Sequence, residues 1–188
     1  MLNRRLVFIA AALVSLWLIW PALRPTPPAP PLSLPDGQLQ LSGHRIIPLQ
    51  PFSLEARVLG REDYYLDRPA QLSPTDLALG WGPMAEPANY QRVAISQRNR
   101  WYYWRVDEFF IPRRDIERHS ANMHLIPATP EVARALQRIE PGQRIALAGQ
   151  LVRVDGDDGF RWVSSLSRDD TGEGACELIW VERLSALD

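Results

Sequence analysis

The chain has 188 residues, 23% charged and 46% hydrophobic, with 21 arginines, no lysine and 22 acids, for a net charge of −1. That balance argues against a nucleic-acid protein whose affinity rests on neutralising many phosphates. A single cysteine excludes a disulfide scaffold and any zinc finger built on paired cysteines.

Arg4 and Arg5 precede Leu6–Leu23, a run of 18 residues without a charge. As a helix that run would extend about 27 Å, enough to cross a bilayer core. Trp17 and Trp20 fall near its far end, where amphipathic rings favour the interface. The expectation is an inner-membrane anchor at 6–23, with residues 1–5 cytoplasmic and everything after Arg24 outside. A cleaved signal peptide shares the basic start and apolar run, but Trp20-Pro21-Ala22-Leu23-Arg24-Pro25 makes a poor cleavage site. Residues 24–35 carry six prolines. They read as a polyproline II stalk of about 37 Å that cannot form a ladder or a helix.

Residues 36–188 contain no second linker, repeat or low-complexity run and read as one domain with a net charge of −4 (18 Arg against 22 acids). Phe52–Val58 alternates apolar and polar residues, the period of a half-buried strand. Ser73-Pro74-Thr75-Asp76 resembles a helix start, with Gly80 as its stop. Trp101–Val106 is aromatic and β-prone. Thr129, Pro130 and Glu131 fit the start of a helix whose buried stripe is Val132, Ala135, Leu136 and Ile139, and Pro141-Gly142 ends it.

Gln143–Val154 reads as a strand whose inward parity changes midway, so a bulge at Gly149 is expected to restore one inward face. Asp155–Gly159 supplies a turn, Phe160–Ser165 returns as a partner, and Cys176–Arg183 makes a closing strand. The fold class is mainly β with a few short helices: a small OB-like barrel, with a β-sandwich as the alternative.

Four stretches carry a resemblance: residues 72–82 (LSPTDLALGWG), 100–105 (RWYYWR), 119–127 (HSANMHLIP) and 165–177 (SLSRDDTGEGACE). They resemble an uncharacterised family of single-pass, membrane-anchored exported proteins of Gram-negative bacteria, over roughly Leu41 to Leu184. The resemblance implies an inner-membrane, periplasm-facing placement and supplies no activity.

Several groups are candidates for chemistry. His119 and His124, with Asp115 and Glu117 upstream, offer metal-ligand atoms, yet a spacing of five puts them on one face of neither a helix nor a strand. The expectation there is structural hydrogen bonding, with no metal and no cofactor. Asp155, Asp157 and Asp158 lack the spacing of a calcium loop and read as a hairpin turn. Arg98, Arg100, Trp101, Tyr102, Tyr103, Trp104 and Arg105 interleave cations with rings. That mixture suits either packing or a ligand or partner surface, with nucleic acid disfavoured by charge.

Arg168, Asp169 and Asp170 lie in an acidic, glycine-containing loop that ends at Cys176. The acids there would hold the thiol protonated, so Cys176 reads as structural. No nucleophile elbow, phosphate loop or dinucleotide fingerprint is present.

The candidate ligand or partner residues are therefore Arg100, Trp101, Trp104, Arg105, His119, His124, Arg168, Asp169 and Asp170. The functional expectation is a membrane-anchored periplasmic binding or assembly module that meets an envelope protein partner. The alternative is a hydrolase or metal-dependent enzyme using the His119/His124 and Asp169/Asp170 region.

Overall fold

The computed structural model describes residues 31–34, 37–167 and 176–188. The expected anchor at 6–23, most of the Pro-rich segment, and the candidates Arg168, Asp169 and Asp170 lie outside the described residues. Among the described residues no helix is long and apolar enough to cross a membrane.

The described chain is mainly β with few short helices. β1 (Leu32–Ser33) and β2 (Leu39–Leu41) lead into β3 (His44–Asp63), a strand of 20 residues. β4 (Thr75–Gly80), the short helix α1 (Pro87–Tyr90) and the hairpin β5 (Ala94–Arg98) and β6 (Trp101–Arg105) follow. Next come α2 (Arg113–Arg118), β7 (Ser120–Pro127), α3 (Pro130–Leu136), β8 (Arg144–Gly156), β9 (Arg161–Val163) and β10 (Glu177–Ala186).

All strands but β5 and β6 join in one large sheet. Within it β3 pairs with β4, β4 with β7, β7 in parallel with β10, β10 with β8, and β8 again with β3.

Strand alternation puts hydrophobic residues on both faces of this sheet. Val58, Leu77, Leu79, Met123, Leu125, Ile145, Leu147, Ile179 and Val181 share one core, which α3 closes with Val132 and Leu136. Ile46, Leu72, Ile126, Val152, Val154, Leu178 and Trp180 share a second. A smaller cluster of Met84, Val93 and Ile116 lies under the β5–β6 hairpin, against Leu59, Ile95 and Trp104.

Three expectations are corrected. Residues 75–80 form a strand rather than a helix, because Leu77 and Leu79 enter the first core while Asp76 and Ala78 are buried on the opposite face. Two covered faces favour a strand between two others over a one-sided helix.

β8 carries no parity-restoring bulge at Gly149. Leu151 faces the first core and its neighbour Val152 the second, so the parity change reflects burial on both faces. The irregularities fall in the partner strands, at Leu49 of β3 and Glu182 of β10. Lastly, Leu32 and Ser33 do form a ladder, with Gln40 and Leu39, where the segment 24–35 was expected to form none. The expected helix starts where its sequence indicates, Thr129 capping it with its hydroxyl accepting from Val132 N at 3.3 Å, but it ends at Leu136 rather than at Pro141-Gly142.

Candidate functional site

On β4 and β7 the face turned away from the first core is polar. Register pairs Asp76 with His124, Ala78 with Asn122 and Gly80 with Ser120. Such a face needs polar cover, and the β5–β6 hairpin supplies it. Tyr102 donates to Ser120 Oγ at 2.8 Å, and Gln97 Nε2 donates to Asn122 Oδ1 at 2.7 Å. Gly60 on the adjoining β3 leaves room for Gln97, whose Oε1 would sit 2.6 Å from any Cβ there.

The tip of the hairpin is the turn Asn99-Arg100. Both residues have positive φ, 53° and 68°. Two-residue turns of this kind favour Asn followed by Gly, so arginine at the second position stores backbone strain. Its side chain explains the choice. The guanidinium passes back beneath the tip and bonds Asp76 Oδ1 and the Ser73 carbonyl, at 2.9 and 2.8 Å. It also grips Asp67 through Nε and Nη2, both at 2.9 Å. It stacks 3.7 Å from the centre of the Tyr64 ring, while the Arg100 backbone N–H donates to the Tyr64 hydroxyl at 3.0 Å. A bidentate, stacked contact of this kind requires the planar fork of arginine.

Asp76 is fully buried and its other oxygen is equally engaged. Asn122 Nδ2 donates to Oδ2 at 3.1 Å. His124 Nδ1 lies 2.9 Å from the same oxygen but without hydrogen-bond alignment. The His124 ring packs against Trp162 of β9, 4.8 Å centre to centre. The result is a closed cluster that ties the loop after β3, the hairpin tip, β4, β7 and β9 together.

The cluster perturbs its neighbours in definite directions. The Arg100 hydrogen bonds hold the Asp67 carboxyl below its ordinary value. Burial, with the Asp76 charge adding to it, pushes Tyr64 up to about 12, and burial pushes Tyr102 up to about 12 as well. Both are acids with a raised folded pKa. Their contribution to stability is complete below pH 10, the ordinary value, and is lost as pH rises from 10 toward 12. An alkaline titration followed by tyrosinate absorbance is therefore expected to show two tyrosines ionising late and together with unfolding. Five tyrosines ionising in one step near 10 would contradict this burial.

The sequence candidates divide as follows. Arg100 and His124 meet through Asp76. Trp104 faces the satellite core, with Arg113 over its ring, whereas Trp101 and Arg105 lie exposed on the outer face of the hairpin. His119 does not join His124: it follows α2, with Nδ1 2.9 Å from the Asp115 carbonyl and its ring beside Trp81. Among the described residues no group of three or more His, Cys, Asp or Glu is placed to hold a metal ion. Asp158 is in a turn and pairs with Arg68, which holds its carboxyl down at about 2.

Asp67, Asp76, Asn122 and Tyr64 escaped the sequence reading. One signal was present: Ser120, Asn122 and His124 alternate with apolar residues, the pattern of a polar strand face.

The chain matches no known family model, no curated protein and no solved structure.

Proposed function

We propose that this chain is a non-enzymatic binding or assembly module of the Gram-negative envelope. In this reading it is held in the inner membrane by residues 6–23, with the described domain in the periplasm. Arg4 and Arg5 before an uninterrupted apolar run support that topology, as does the resemblance of four sequence stretches to anchored exported proteins.

The finer fold reading is a small OB-like barrel made of β3, β4, β7, β10 and β8. Its support is the cycle of pairings that returns from β8 to β3, where a sandwich would leave two separate sheets.

One observation carries the functional reading. Arg100, Asp67, Asp76 and Asn122 are bonded to one another in the buried cluster, while the same cluster fixes a hairpin whose outer face is aromatic and basic. Trp101 and Tyr103 are each 41% exposed, Arg98 stacks 4.9 Å over the Tyr103 ring, and Arg105 lies alongside. Exposed rings flanked by arginines are the residue types that dominate protein-binding hot spots. The enzyme alternative loses support because His119 and His124 engage different partners.

A photo-crosslinking residue at Tyr103 tests the reading in intact membranes. One discrete adduct with an envelope protein, lost on Arg105→Glu, is expected. No adduct at Tyr103 beside a strong one at a site remote from the hairpin would contradict it.

A further inference from the structure

At the tip of the molecule the outer hairpin face continues, through Trp101, into a further exposed patch. The loop after β3 presents Tyr65 and Leu66 to solvent, 59% and 99% exposed. A leucine so fully exposed, beside an exposed tyrosine, is an apolar projection that the fold does not need for packing. The next residue, Asp67, is clamped by Arg100, whose own neighbour in the turn is Trp101. The buried cluster therefore holds Tyr65, Leu66 and Trp101 at one end of the sheet.

The chain enters at that same end. Asp67 is followed by Arg68, whose Nη2 lies 3.4 Å from His44 Nε2. Gln40 of β2 pairs with both Leu32 and Arg45, the neighbour of His44, so Leu32 enters two strands over from the His44–Arg68 contact. Residues 24–31 are all that separate the charge-free run 6–23 from Leu32. Eight residues can span at most about 29 Å even when fully extended. A tether of that length leaves this end of the domain within reach of the bilayer.

From these placements we infer that Tyr65, Leu66 and Trp101 dock into the interfacial layer of the phospholipid bilayer that holds the anchor. Tyr and Trp rings favour the headgroup level, where an apolar body and a polar tip are both satisfied, and Leu66 reaches toward the acyl boundary. Arg98, paired with Trp101 across the hairpin, suits anionic headgroups, and the neighbouring carboxylates Asp67 and Asp158 are already paired with Arg100 and Arg68. The inference rests on the anchored reading above.

The test uses the full chain with Cys176→Ala as background and a single new cysteine at Leu66, Tyr65 or Leu187. Leu187 is 44% exposed and lies past the far end of β10. Each cysteine is labelled with an environment-sensitive nitrobenzoxadiazole dye, and the protein is reconstituted into vesicles of phosphatidylethanolamine and phosphatidylglycerol. Expected is a blue-shifted emission at positions 65 and 66, quenched by spin-labelled lipid, with a water-like, unquenched signal at 187.

Water-like emission at all three positions in vesicle-bound protein overturns the docking and leaves the anchor standing. Protein that floats free of the vesicles overturns the anchor and the docking with it. A blue shift already present in detergent that fades on dilution assigns the tip to a second copy of the chain and overturns the membrane assignment.

Discussion

Replacing Arg100 by glycine is expected to destabilise the fold by about 3–5 kcal/mol, the usual cost of removing one partner from a buried charge pair. The backbone alone argues the other way. With φ at 68° after Asn99, glycine would relax the turn and recover about 1 kcal/mol of strain. The side chain decides the sign, because its loss leaves Asp76 fully buried with Asn122 and an unaligned His124 as its partners. Asp67 loses the bidentate grip that holds its carboxyl low, along with the stability that this grip supplies above the ordinary carboxylate range.

Arg100→Lys restores charge but not the fork, and it is expected to recover less than half of the loss. Denaturant unfolding followed by tryptophan fluorescence measures the series. A glycine variant as stable as wild type would show that the cluster contributes nothing net.

Gly149→Ala is expected to cost about 3 kcal/mol or more, beyond ordinary overpacking, because the obstruction is backbone. A Cβ at this position of β8 would overlap the Trp180 carbonyl oxygen and lie 2.9 Å from its carbon and 3.1 Å from Glu182 N. None of these atoms can turn aside as a side-chain terminus does. Relief requires β8 and β10 to part beside the irregularity at Glu182, next to both cores. Loss of cooperative thermal unfolding is the expected readout. A melting curve superimposable on wild type would contradict the close approach of the two strands.

Much of the fold was written in local pattern. The alternation at 52–58, the cap at Thr129 and the turn at 155–159 each depend on neighbours in sequence, and each forms as expected, although the helix ends at Leu136, short of the expected Pro141-Gly142. The failures were non-local. Ser73-Pro74-Thr75-Asp76 has the spacing of a helix cap, yet Asp76 serves as the buried anion for an arginine 24 residues away. Local capping rules cannot see that partner. The parity change in β8 was visible, but whether it meant a bulge or two buried faces depended on what packed against the second face.

The site was half legible. Arg100 stood out in its run of rings, and His124 only as half of a histidine pair expected to make structural hydrogen bonds. Pairing His124 with His119 followed proximity in sequence, whereas strand register gave it Asp76 as its partner.

Hydrogen exchange on the Arg100→Gly variant tests most directly whether the buried cluster fixes the exposed surfaces. Glycine preserves the turn, so any change in the hairpin reports the side chain. The expected result is a selective loss of amide protection in residues 64–67 and 94–105, with protection in β7 and β10 retained. Unchanged protection across the hairpin, or a uniform loss throughout the sheet, would contradict the cluster as the latch that presents Tyr65, Leu66, Trp101 and Tyr103.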